Sequence, residues 1–210
     1  ATPDREYRNQ SIQETQRVID MTRDLNQFFP STENPKIVAN IGGISMDELI
    51  KKDQLSKYYE IFGDSLDKLD TKDVEIIPQT MAPFPWHFGG QRHQNLFVHI
   101  DDIMKWCEEL NLRMCFDVSH TMLACNEFKW DFYEFSEKIA PITAHLHLGD
   151  ASGTNGEGLQ VGDGDIDFKR LSNILNLHAP QSTFIPEIWQ GHKNGGEGFW
   201  IALDKLKNLL

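Results

Sequence analysis

Cysteine is scarce in this chain of 210 residues, with only Cys107, Cys115 and Cys125. An odd count without CxxC spacing does not suggest a disulfide framework and reads as reduced thiols of a cytoplasmic protein. Cys107 lies on a helical pattern and Cys115 inside an apolar strand pattern, so both read as core residues. Basic residues are also outnumbered: 20 Lys and Arg stand against 32 Asp and Glu, for a net charge of −12 at pH 7. They form no cluster, which argues against a nucleic-acid partner. No apolar run approaches the roughly 18 residues of a membrane span. No signal peptide is visible, and the opening "ATPDREYR" reads as a cut inside a larger chain. No GxGxxG follows the first strand, so a dinucleotide fold has no fingerprint.

Five short apolar runs, bounded by Gly, Pro, Asn or Asp, read as buried strands: residues 36–43, 74–80, 112–120, 144–150 and 182–189. They start roughly 30 to 40 residues apart, the size of a βα unit. Helical patterns cover 9–28, 46–69, 99–110, 130–139, 167–177 and 196–210. Asp101 and Asp167 suit helix starts, where a carboxylate meets free backbone N–H groups. The alternation predicts an α/β fold with a parallel sheet, either open and doubly wound or a β/α barrel. Polar residues gather where the strands end: Asn40, Gln79, Asp117, His120, His147, Asp150 and Glu187. That placement favours the (β/α)8 TIM-barrel type, whose chemistry sits at the C-terminal strand ends.

Asp117, His147 and Glu187 come from three successive strands. Two carboxylates neutralise an ion and an imidazole adds a directional donor, a set suited to Mn²⁺, Mg²⁺, Co²⁺, Zn²⁺ or Fe²⁺. His145 shares a strand face with His147 one layer deeper, as a neighbour or substrate residue. Asp150, just past the strand, is expected to orient the site or its loop. The "VGDGDIDF" loop (161–168) and the flexible stretch 149–158 beside it read as a functional loop or a solvated acidic one. In 81–95, Phe84, Trp86, His87 and Phe88 suit stacking on a sugar ring, or ordinary loop packing. Gln91, Arg92 and His93 suit an anionic group. Arg92 and Lys193 are the cations best placed for a phosphate or carboxylate.

At "FDVSH", "AHLHLGD", "VGDGDIDF" and "IPEIW" the chain resembles the xylose-isomerase-like superfamily of sugar-phosphate isomerases and epimerases. These look like its D-x-x-H strand, H-x-H-x-x-D strand, Gly-x-Gly-x-Ile-Asp loop and final strand glutamate. "PFPWHFGGQRHQNLF", "DGDIDF" and "PEIWQGHKNGGEGFW" look similar, more narrowly, to isomerase-like domains associated with bacterial sialic-acid-type synthases. The resemblance implies a divalent metal held by Asp117, His147, Glu187 and a residue of the preceding strand. It also implies a substrate-contacting His120 and a proton-transferring Glu187.

Where the family commonly carries a glutamate, this chain reads "PQTMAP", so Gln79 takes that place; Glu75, four residues earlier, is the other alignment. A glutamine cannot act as a base, which gives weight to a one-base isomerisation or to a non-catalytic sugar-binding or accessory role. Asn40 stands where metal-dependent endonuclease relatives carry histidine, which argues against abasic-site cleavage. A barrel of this type has eight strands and typically about 250 residues. Five units therefore predict a C-terminal fragment preceded by three more. The open edge is then expected to contact that preceding segment or a partner chain.

Overall fold

Asp117 closes one strand and caps the next helix. The computed structural model describes residues 1–29, 31–32, 34–87, 89–207 and 209. Its main strands are β1 (Lys36–Ala39), β2 (Glu75–Pro78), β3 (Met114–Asp117), β4 (Thr143–Leu148) and β5 (Thr183–Pro186). They lie parallel and side by side in chain order. Lys36 faces Glu75, Gln79 bridges to Cys115, Asp117 faces His147, and His147 faces Ile185. Consecutive parallel neighbours joined through helices make the wall of a β/α barrel.

The helices are α1 (Arg5–Asn26), α2 (Lys52–Leu66), α3 (Ile100–Glu109), α4 (Val118–Phe128), α5 (Phe132–Ile139), α6 (Phe168–His178) and α7 (Lys193–Leu206). They bury the outward strand face: Met114, Phe116, Leu146 and Leu148 join one large apolar cluster with helix residues. In that cluster Tyr59 stacks on Trp106 at 5.0 Å and its hydroxyl accepts from Phe97 N at 2.9 Å. Ile77 and Cys115 sit in a separate small cluster. Phe184 and Ile185 of β5 are 37% and 45% exposed, since β5 pairs on one side only among the described residues.

Two expectations need correction. The segment 112–120 is not one strand: it ends at Asp117, and α4 starts at Val118. Asp117 caps that helix by accepting from His120 N at 3.0 Å. The helix escaped notice because Val118, Ser119 and Thr121–Cys125 are all buried, and a helix covered on most sides lacks a polar stripe. The last helix begins earlier than 196, but Asn194, Gly195 and Gly196 have positive φ and break its first turn. Asp167 caps α6 through Lys169 N and Arg170 N, and Asp101 lies in the first turn of α3.

Candidate metal and active site

Asp117, His147 and Glu187 meet at the C-terminal ends of β3, β4 and just past β5. One ligand atom from each lies within 4.8 Å of the others. Asp117 is 2% exposed, and its backbone is held by Thr80, whose hydroxyl accepts from Asp117 N at 2.9 Å. His147 Nδ1 stands 2.6 Å from Glu187 Oε2 and 3.7 Å from Asp117 Oδ2. Glu187 is fixed by its backbone, which donates to Leu148 O at 2.9 Å. Gly149 allows that approach: a Cβ there would lie 2.5 Å from Glu187 O.

The three groups are electrostatically coupled. Burial opposes a charge on His147, but hydrogen bonds to Asp117, Cys115 and Glu187 outweigh it and push the imidazole up to about 12. Burial likewise opposes ionisation of Asp117, yet the His120 and His147 contacts bring its carboxyl below the usual range. A proton on His147 Nδ1 thus faces two carboxylate oxygens. A divalent ion in its place would meet two hard oxygens and one ring nitrogen, a donor set that fits Mn²⁺, Mg²⁺, Co²⁺, Zn²⁺ or Fe²⁺.

Of the two candidates on β2, Gln79 lies beside the set and Glu75 does not. Its Nε2 donates to Asp117 Oδ2 at 2.7 Å and lies 3.3 Å from both His120 Nδ1 and His147 Nδ1. Glu75 lies toward the opposite end of the strand, gripped by Arg113 Nε at 2.6 Å. His120 sits on the first turn of α4 rather than on a strand. Its Nδ1 lies 3.1 Å from Thr80 O and 3.0 Å from Asp117 Oδ2, and its Nε2 lies 3.8 Å from Glu157 Oε2. Burial opposes its charge, and the Asp117 and Glu157 carboxylates overcome that and raise its pKa.

A cavity of about 560 Å³ opens beside this set, with Asp117, His120, Glu157, Glu187, Trp189 and Lys193 in its lining and His147 and Gln79 outside it. Lys193 Nζ donates to Gln190 Oε1 at 2.8 Å. His145 is outside the lining: its ring lies 5.4 Å from that of His147, and its Nδ1 is 2.7 Å from Thr183 Oγ1. Burial, then the neighbouring His147, lower its pKa to about 4. Trp86, His87 and Arg92 do not line the cavity either. They belong to a hairpin (Trp86–His87 with Gly90–Gln91) tied to the loop after β4 by Gln91 Nε2 on Asn155 Oδ1 at 3.1 Å. Phe84 packs edge-on against His93, and Phe88 lies outside the described residues. Asn40 also lies outside the lining, its side chain accepting from Gly42 N.

Glu157, Ser119 and Trp189 also line the cavity, and the sequence does not single them out. Ser119 had a signal, since it lies inside "FDVSH"; Glu157 sits in a Gly-rich stretch, "GTNGEG", that reads only as flexible.

Residues 1–209 match the family described as xylose isomerase-like TIM barrel. The chain belongs to this family. No curated protein matches it. Among solved structures, an L-ribulose 3-epimerase is 16% identical with a TM-score of 0.66, over 90% of this chain and 57% of its own. A D-tagatose 3-epimerase-like protein is 17% identical with a TM-score of 0.66, over 98% of this chain and 74% of its own. A xylose isomerase domain protein from Planctomyces limnophilus is 17% identical with a TM-score of 0.68, over 97% and 67%. This member of the family thus spans little more than half of the first of these proteins. At such identities the likeness shows the shared fold. No helix among the described residues is long and apolar enough to cross a membrane.

Proposed function

We propose that this domain is a divalent-metal-dependent isomerase or epimerase acting on a sugar or sugar phosphate by proton transfer at a carbon beside a carbonyl. The observation that carries the reading is the convergence of Asp117, His147 and Glu187 on one another, with Asp117 and Glu187 lining an open cavity. A bound divalent ion would polarise the substrate's carbonyl oxygen and its neighbouring hydroxyl. Asp117, His147 and Glu187 would hold that ion, with the Gln79 amide oxygen as fourth donor after a half-turn of the side chain. Glu187 is the half-exposed member of the set, and it takes the proton from the substrate carbon. His120 lines the cavity and binds a substrate hydroxyl, while Lys193 receives an anionic or polar end. His145 supports His147 from the same strand face. The sugar-epimerase names of two structural neighbours support the substrate class.

The test is metal analysis of the full-length protein followed by incubation of ketoses and their phosphates in D2O with added Mn²⁺ or Co²⁺. Deuterium should enter the substrate carbon, and Glu187→Gln should slow this by about 10²–10⁴-fold. A second reading, a non-catalytic sugar-binding or accessory domain of a larger sialic-acid-type synthase, draws on Gln79, which supplies no base. It is favoured if no ion is retained and Glu187→Gln leaves sugar binding intact.

A further inference from the structure

Two-base epimerisation needs two proton-handling groups, because the proton leaves one face of a carbon and another arrives on the opposite face. Glu187 provides one. The strand end where a second carboxylate is expected carries Gln79 instead. Among the described residues lining the cavity, the carboxylates are Asp117, Glu157 and Glu187. Asp117 is committed to the helix cap, Gln79 and the imidazoles, which leaves Glu157.

Glu157 is held in place from both sides of its chain. The next residue, Gly158, donates to Ser119 Oγ at 2.8 Å and accepts from Trp189 N at 2.7 Å. Gly158 has φ +63°, and a Cβ there would lie 3.1 Å from Trp189 N, so the turn that presents Glu157 needs glycine. The loop thereby folds back from the end of β4 over the start of α4, and Glu157 Oε2 reaches within 3.8 Å of His120 Nε2. Glu187 follows β5 and Glu157 lies in the loop after β4, so the two carboxylates reach the cavity from different segments.

We infer that Glu157 is the second acid/base group of an epimerase, standing in for the glutamate that Gln79 replaces; this rests on the proposed isomerase or epimerase reading. The Glu187 carboxylate takes the proton from the substrate carbon, and the C–H electron pair moves into the C=C bond of an enediolate. Glu157 in its acid form gives its proton to the opposite face, and that pair returns as the new C–H bond. The epimer leaves with Glu187 protonated and Glu157 ionised, and exchange with water resets both. His120, held by Thr80 and Asp117, orients the Glu157 carboxylate.

The experiment compares inversion with exchange in the full chain. Mn²⁺-loaded protein is incubated with ketopentoses and ketohexoses in D2O, and deuterium incorporation and epimer formation are followed by NMR. Glu187 alone can exchange a proton on one face, but inversion requires both groups. Glu157→Gln should therefore lower the ratio of inversion to exchange by about 100-fold, the range of one general acid/base. Adding Gln79→Glu to that variant should raise the ratio again. An unchanged ratio in Glu157→Gln, or exchange without any inversion in the unaltered chain, overturns the inference while the isomerase reading stands. Absence of both exchange and inversion in the unaltered chain overturns the proposed function and this inference with it.

Discussion

Gln79 Nε2 and Asp117 Oδ2 lie 2.7 Å apart at the ends of neighbouring strands. A carboxylate at position 79 would instead repel Asp117, because two carboxylates sharing a site cannot both ionise freely. The amide therefore stabilises the site without an ion and gives up one negative charge toward a cation.

Gln79→Glu should shift that balance. Without metal, the variant should melt at a lower temperature than the parent. With Mn²⁺, the added charge should tighten binding at least about tenfold, or roughly 1.4 kcal/mol. Isothermal titration with Mn²⁺ measures it, and equal or weaker affinity would remove position 79 from the donor set.

Glu75 provides the control. It pairs with Arg113 through two contacts of 2.5 and 2.6 Å, with Arg113 half-exposed. Glu75→Gln should cost less than about 1 kcal/mol of stability, as exposed ion pairs do. Mn²⁺ affinity should stay at the parent value. A tenfold loss would return Glu75 to the list of ligands.

The five strands and the inward face of His145 and His147 were legible because period-two alternation and βα spacing survive in the residue pattern. So was the role of Asp150, placed after the strand and before a Gly- and Asp-rich loop. What could not be read depends on distant partners or on missing contrast. Helix α4 is buried along most of its length, so its residues show no amphipathic period and look like a strand continuing past Asp117. Glu157 owes its position to Ser119 and Trp189, and nothing in "GTNGEG" announces either contact.

Asp150 is fully buried, and its two oxygens accept from Ala151 N, Gly162 N, Gly164 N and Ile166 N at 2.8 to 3.1 Å. One carboxylate thus folds the 161–167 loop against the end of β4. Asp150→Ala would leave these donors without their acceptor, at a cost of ~3 kcal/mol or more. Chemical denaturation should show that loss, and amide exchange at 162, 164 and 166 should speed up. Unchanged protection of those three amides would mean the loop is held by something else.

His99 sits in an aromatic nest, its ring 5.3 Å from Phe128 and 4.8 Å from Trp130. Burial lowers its pKa, with Lys52 adding to the effect and Asp102 and Asp101 opposing it. The unfolded chain, with an ordinary histidine near pH 6.5, then binds more protons than the fold just below that pH. The stabilisation is present above about pH 6.5. It declines as pH falls through the folded value, and levels off below it. His120 and His147 shift the other way, so the effect is read as a difference. Melting temperatures of the parent and of His99→Phe, measured from pH 7.5 to 5, should diverge toward acid, with the parent losing more. Parallel curves would show that His99 keeps its ordinary protonation in the nest.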